Sequence, residues 1–319
     1  MSAIMRREAL LGLAAVSAAS LAACGQVNTG SAIAEETGYV DVPGGRVWWM
    51  RAGSGPKTPL LLLHGGPGAG HNYLLPLKIL ADERPVVFYD QLGCGRSDIP
   101  DDPSVYTVAR SVEEVDAVRK ALGLDRIVLL GHSWGSQLAI EYFATRGGPG
   151  IERLVLGGAL ASSPQALVGM KRWLDAMPND AGARVRALEA SEQFQSDEYQ
   201  SLMKSFYERH LCRALPWPPE AQASLDIAAK SPAYRIMWGP SEFTATGELK
   251  DWERRPDLGT IKVPTLITTG QYDEITLDCQ QSIMEAIAGS QLLIFEGCSH
   301  MTMNEKPVEY ARAVRNFIA

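Results

Sequence analysis

Cysteine and histidine are scarce in this chain, five of each among 319 residues. No two cysteines form a C-x-x-C pair, so no structural zinc site or other metal centre is expected. There is no run of basic residues, and the net charge of −7 is spread with signs interspersed, which argues against nucleic acid as a partner. Beyond the amino terminus, no apolar segment is long enough to span a bilayer. What remains is ordinary globular composition, 46% hydrophobic and 21% charged. The length suits one large domain with an insertion, or two modest domains.

The amino terminus stands apart. Arg6 and Arg7 precede an apolar run from Ala9 to Ala23, then Cys24. This is the pattern of an export signal, and the arginine pair points to the twin-arginine route. The tail "LAACG" resembles the lipobox of bacterial lipoproteins, which are cut before the cysteine and lipidated on it. Residues 1–23 are therefore expected to be a signal, with lipidated Cys24 attaching the mature chain to a membrane in the periplasm or cell envelope. Residues 24–37 read as a linker. Cys94, Cys212, Cys279 and Cys298 remain, and buried free thiols are expected there more often than bridges.

"GYVDVPGGRVWWMRAG" alternates around Gly44-Gly45 and predicts a β-hairpin. "PLLLLHG" and "PVVFYD" are short apolar runs that suit strands buried on both faces. Between them "HNYLLPLKILADE" has helical spacing. "SVEEVDAVRKALGL" is a clearer amphipathic helix, followed by the strand "RIVLLGH", a helix from Ser133, and the strand "IERLVLGGAL". Alternating strands and helices imply a mostly parallel sheet flanked by helices, an α/β fold. Residues 162–253 break this rhythm with helical patterns and no short apolar strand. The β pattern resumes at "VPTLITTG" and "QLLIFEG", and the chain closes on the helix "PVEYARAVRNFIA". A helical cap (162–253) inserted between two parts of one α/β core (38–161 and 254–319) is the expected organisation.

In an open parallel sheet, reactive groups gather at the carboxyl ends of strands. Four loops qualify. The first carries Ser133 in "GHSWG", a G-x-S-x-G pattern; alone, that serine is equally a small residue in a tight turn. The second carries Asp273 and Glu274 in "QYDEIT", the third His300 in "CSHMT", and the fourth is "HGGPGAG", His64 to Gly70. A serine hydroxyl needs a base to take its proton, and the base needs a carboxylate to fix its tautomer. Ser133, Asp273 and His300 follow the chain order of α/β-hydrolase triads, each after its own predicted strand. Of the five histidines, only His300 lies in the right loop. Trp134, next after the serine, and the Gly65-Gly66 loop are placed to give the two N–H donors of an oxyanion hole.

These residues resemble the proline iminopeptidase family of α/β-hydrolases, which release N-terminal residues from peptides. The resemblance rests on "HGGPG" (64–68), "YDQLGCGRSD" (89–98), "GHSWG" (131–135), "YDE" (272–274) and "CSHMT" (298–302), and runs over nearly everything from about Gly38 onward. Two segments of the insertion, "HLCRALPWPPE" and "YRIMWGPSEFTATGELKDW", are similar to the cap of the tricorn-associated aminopeptidase branch. The family implies Ser133 as nucleophile, Asp273 as orienting acid, His300 as base, and Gly66 and Trp134 as oxyanion donors. It also implies that Glu242 and Glu274 hold the substrate's free α-ammonium; without the resemblance, Glu242 reads as a solvated cap residue.

The resemblance thus implies a serine aminopeptidase that takes proline and other small or apolar residues from short peptides with a free N-terminus, without metal or organic cofactor. An amino-acid amidase, esterase or lactonase on the same scaffold is the alternative, and a non-catalytic binding module a more distant one. Leu92, in "DQLG" where many members have "DQRG", suggests a preference wider than proline, as in the tricorn-associated branch. Ser136 stands where glycine is common, and an export signal is unusual in a family largely regarded as cytosolic.

Overall fold

The computed structural model describes residues 33–319; the expected signal, lipobox and Cys24 lie outside the described residues. Strands β1 (Glu35–Val42) and β2 (Gly45–Ala52) form an antiparallel hairpin. Gly44 makes the turn at φ +96°, a conformation that costs glycine little and other residues much. β1 starts inside the stretch 24–37 expected as linker, because Glu35, Glu36 and Thr37 pair with Ala52, Arg51 and Met50.

Six further strands complete the sheet: β3 (Leu60–Leu63), β4 (Val86–Tyr89), β5 (Ile127–His132), β6 (Ile151–Gly157), β7 (Thr265–Gly270) and β8 (Gln291–Phe295). The order is β1-β2-β4-β3-β5-β6-β7-β8, with β2 antiparallel to β4 and every later pair parallel. Helices α1 (Val108–Ala121) and α2 (Trp134–Arg146) flank β5 in sequence. Between β6 and β7 lie α3 (Ser163–Asp175), α4 (Ala181–Ala190), α5 (Asp197–His210), α6 (Pro219–Ala228) and α7 (Pro232–Met237). Serine hydroxyls open three of these: Ser162, Ser196 and Ser231 accept the N–H of Gln165, Tyr199 and Ala233. The chain ends with α8 (Leu277–Ala286), α9 (Thr302–Glu305) and α10 (Pro307–Phe317).

The period of two along each strand divides the core between the two faces. Leu61, Leu63, Val87, Tyr89 and Leu129 point to the side covered by α1, α2 and α8. Leu60, Leu62, Val86, Phe88, Val128 and Leu130 point to the other, against residues 72–82 and α10. Segment 72–82 winds as a 3-10 helix; Pro76 inside it has no N–H for an α-helical bond. The four cysteines of the described residues are buried and free.

Candidate active site

Ser133 sits at the join of β5 and α2 with φ +56° and ψ −125°, a strained conformation for a residue with a side chain. The glycines on either side explain why the turn is so tight. A Cβ on Gly131 would come 2.2 Å from the Gly135 carbonyl oxygen, and one on Gly135 would come 2.0 Å from that of Leu63. The serine N–H is held by the Gly157 carbonyl at 2.9 Å. The fixed backbone leaves the half-buried Ser133 side chain on the wall of a cleft.

Asp273 and His300 come from the turns after β7 and β8 and meet with His300 Nδ1 2.7 Å from Asp273 Oδ1. Asp273 is itself fixed: Oδ1 also accepts the Ile275 N–H at 2.9 Å and Oδ2 the Thr269 hydroxyl at 3.0 Å. This assigns the Nδ1 proton to the Asp273 side and leaves Nε2 as the free nitrogen, the arrangement a general base requires. Gly158 lies under the imidazole, where a Cβ would come 2.6 Å from Cε1 and Nδ1. Burial by itself would lower the His300 pKa, but the carboxylates of Asp273, then Glu274 and Glu242, outweigh it and push it up to about 9.

The loop after β3 faces the serine, with Gly66 at φ +110°. Among the described residues, neither the Gly66 N–H nor the Trp134 N–H is given to a protein acceptor. The two glycine and tryptophan positions line the same cleft as Ser133. Gln91 ties the loop to the tryptophan. Its side chain donates to the His64 carbonyl at 2.9 Å and accepts the Trp134 indole N–H at 2.8 Å, while its own N–H reaches His64 Nε2 at 2.9 Å. The His64 Nδ1–H is thereby directed to the Gly65 carbonyl at 2.9 Å. Burial lowers the His64 pKa to about 4, so it stays a neutral brace.

Two features escape sequence reasoning. The first is a buried chain: the Gly65 N–H donates to the Tyr73 hydroxyl (2.8 Å), Tyr73 donates to His132 Nδ1 (3.0 Å), and His132 Nε2–H donates to the His300 carbonyl (3.0 Å). It links the oxyanion loop to the backbone of the catalytic-base candidate, through a histidine that burial and the nearby His300 keep neutral. The second is the carbonyl of His210 at the end of α5, which accepts the N–H of both Glu274 and His300 at 3.1 Å. One turn of the inserted segment thus clamps the acid and base loops together. Neither contact leaves a signal in spacing, because each joins residues far apart in the chain. His64, Asp90 and Cys94 cluster closely enough to suggest a metal set. Their donor atoms are already committed: His64 Nε2 to Gln91, and Asp90 Oδ1 and Oδ2 to His71 and Arg96.

Glu242, in the loop after α7, and Glu274 line the cleft with Ser133, Gly66 and Trp134, around a volume of about 30 Å³. Gln137, Leu160, Met170, Trp238 and Ile275 supply its remaining walls. Glu242 Oε1 accepts the Tyr207 hydroxyl at 3.5 Å, and Tyr234 faces the same carboxylate, its hydroxyl without a hydrogen bond of normal geometry. Glu274 Oε1 lies 3.7 Å from His300 Nε2, and Glu274 Oε2 is buried with no partner. Burial raises the pKa of both glutamates, Glu274 strongly, and for Glu274 the neighbouring Glu242 adds to the rise. On the far side of Glu242 a cavity of about 1290 Å³ opens among the cap helices, walled by Phe194, Tyr199, Met203, Tyr207 and Trp217.

Ser133, Gly66, Trp134, Glu242 and Glu274 line one cleft. The Asp273–His300 pair adjoins it through the 3.7 Å approach of His300 Nε2 to Glu274, and no hydrogen bond joins Ser133 to His300. The alpha/beta hydrolase fold family matches residues 58–307. A proline iminopeptidase from Thermoplasma volcanium is 40% identical over 286 residues, 89% of this chain and 96% of that protein. The solved structure of a proline iminopeptidase from Mycobacterium smegmatis superposes with a TM-score of 0.81 at 31% identity, covering 89% and 97% of the two chains. That of VinJ does so with a TM-score of 0.85 at 33% identity, covering 89% and 98%. With such likeness over nearly all the described residues, the chain belongs to the proline iminopeptidase family of α/β-hydrolases.

Proposed function

We propose that the protein is a serine aminopeptidase that releases N-terminal residues, proline and other small or apolar ones, from short peptides. Ser133 Oγ attacks the first carbonyl while His300 Nε2 takes its proton, with Asp273 holding the imidazole in position. The Gly66 and Trp134 N–H groups receive the oxyanion, a contribution of about 10²–10³ in rate for each donor. His300 then protonates the departing amine, and water hydrolyses the aminoacyl-enzyme. No step calls for a metal or organic cofactor.

The observation that carries this reading is the pair Glu242 and Glu274 on the wall of the serine's cleft, with Glu274 Oε2 buried and unpartnered. A substrate α-ammonium supplies the missing donors. Charge-assisted hydrogen bonds contribute about 1.5–3 kcal/mol each, enough for two of them to reject peptides with blocked or internal amines. A simple esterase or lactonase reading, whose substrates carry no α-ammonium, leaves these buried carboxylates without a task. Leu92 and the cap segments support kinship with the tricorn-associated branch and a range wider than proline. Glu242→Gln tests the assignment. It is expected to raise KM for free-amine arylamides about 10-fold or more while sparing simple acyl esters; equal losses on both would assign Glu242 to support of the cap.

We further propose that the protein is exported and held at the cell envelope by lipid on Cys24, a reading supported by Arg6-Arg7, the apolar run and "LAACG". Cys24→Ala is expected to move the mature protein from the membrane to the soluble fraction; an unchanged distribution would refute lipid anchoring.

A further inference from the structure

Most serine triads place one carboxylate beside the histidine; this one has three. Asp273 bonds His300 Nδ1, Glu274 faces Nε2 at 3.7 Å, and Glu242 stands behind Glu274 on the cleft wall. The remaining neighbours carry no opposing charge. His132, 4.5 Å from the His300 ring, is kept neutral, and His210 offers its carbonyl to the His300 N–H while its own ring bonds the Tyr272 carbonyl. A neutral His300 would direct the Nε2 lone pair at the Glu274 carboxylate, an unfavourable meeting of two electron-rich groups. A proton on Nε2 turns the same contact into an ion pair. The nitrogen that must accept the Ser133 proton is then already occupied.

We propose that Glu274 is a counter-ion switch: in the free enzyme it pairs with protonated His300, and the substrate's α-ammonium replaces that imidazolium, so that binding itself frees the base. This rests on the ammonium assignment of Glu242 and Glu274 made above and adds to it. The ammonium pairs with the two glutamates, taking the place of the imidazolium charge, and repels a second positive charge nearby. His300 Nε2 then releases its proton to solvent and becomes the base that Ser133 needs. Charge balances, one cation entering the carboxylate cluster and one proton leaving it. The carboxylates raise His300, and the imidazolium in turn opposes the rise that burial and Glu242 impose on Glu274, so the ion pair keeps Glu274 ionised. Selection for a free amine is thereby expressed in kcat as well as in KM: a ligand without the ammonium occupies the cleft and leaves the base protonated.

The test compares kcat against pH for methanol release from alanine methyl ester and methyl propionate, which differ by the amine alone. The acid limb for methyl propionate is expected about 1–3 pH units above that for alanine methyl ester, the range one opposite charge produces at such distances. Glu274→Gln is expected to move the methyl propionate limb down and raise its kcat at pH 7 about 10-fold or more, while raising KM for the amino ester. Coincident limbs in the unaltered enzyme, or a methyl propionate limb that Glu274→Gln leaves in place, would overturn the switch. A measurement independent of Glu274 variants uses Ser133→Ala protein and alaninamide at pH 7, with calorimetry in buffers of different ionisation enthalpy. Net proton release is expected with alaninamide and none with propionamide; equal release would overturn the switch. Failure of ammonium recognition itself has a different signature, an amine-substrate KM that Glu242→Gln does not change.

Discussion

Tyr73→Phe removes one oxygen from the interior and keeps the ring, which is only 2% exposed. That oxygen takes the Gly65 N–H at 2.8 Å and gives its proton to His132 Nδ1 at 3.0 Å. Its loss orphans two buried polar groups. Each costs about 1–3 kcal/mol, and a water entering the vacated volume offsets part of the sum, so a destabilisation of about 2–4 kcal/mol is expected. His132 cannot compensate by taking a proton, because burial and the adjacent His300 hold its pKa well below the ordinary value. Gly65 also precedes the oxyanion donor Gly66. Loosening that donor costs less than the roughly 10²–10³ of deleting it, and a fall of about 10-fold in kcat is expected. Urea unfolding followed by circular dichroism, read at unchanged m-value, and kcat at saturating substrate measure the two effects. A loss below about 0.5 kcal/mol with unaltered kcat would show that the hydroxyl does not couple the oxyanion loop to the base.

Further consequences concern the base, its pH dependence and the end of the inserted segment. Gly158→Ala puts a methyl group 2.6 Å from the His300 ring at a φ of +50°; kcat is expected to fall about 100-fold with the far-ultraviolet spectrum intact, and full activity would refute the packing. The kcat/KM profile should be a bell bounded by the substrate amine at about 7.7–8.0 and free-enzyme His300 at about 9. The base must lose its proton while the amine keeps its own, so the optimum falls between the two values; an optimum below neutrality would contradict the carboxylate cluster. Glu141 accepts the Trp252 indole at 2.9 Å and two Arg254 nitrogens at 2.7 and 2.8 Å. With Arg254 one-third exposed, Glu141→Gln is expected to cost about 1–2 kcal/mol in chemical denaturation. Burial works against the Glu141 charge but Arg254 and Trp252 outweigh it, holding its pKa below the usual 4.5. The native advantage over the glutamine variant is therefore full above pH 4.5 and shrinks as pH falls through the folded value; a gap that widens in acid would refute the pairing.

The core strands were legible because "LLLL", "VVFY" and "IVLLGH" are apolar runs too short for helices, and each is buried on both faces. "QLLIF" reads the same way, yet β8 lies at the end of the sheet and leaves Leu293 and Ile294 exposed. Position within a sheet follows from pairing, which composition does not encode. The segment 72–82 has helical spacing, but Pro76 turns it into a tighter 3-10 winding. At the site, Ser133, Asp273 and His300 could be named because each follows a recognisable strand, and the loop rule brings strand ends together. Glu242 could be named only through family likeness, since the loop after α7 carries no periodicity that aims it at the cleft. The Tyr73–His132 chain and the His210 carbonyl depend on packing between distant segments, and backbone acceptors leave no mark on residue type.

The most direct test of the central claim is the ratio of kcat/KM for an alanyl or prolyl arylamide to that for its N-acetylated form, measured near pH 8. Two charge-assisted contacts at Glu242 and Glu274 are expected to give a preference of about 10²-fold or more for the free amine. Equal turnover of the two would contradict ammonium recognition and leave the buried glutamates unexplained.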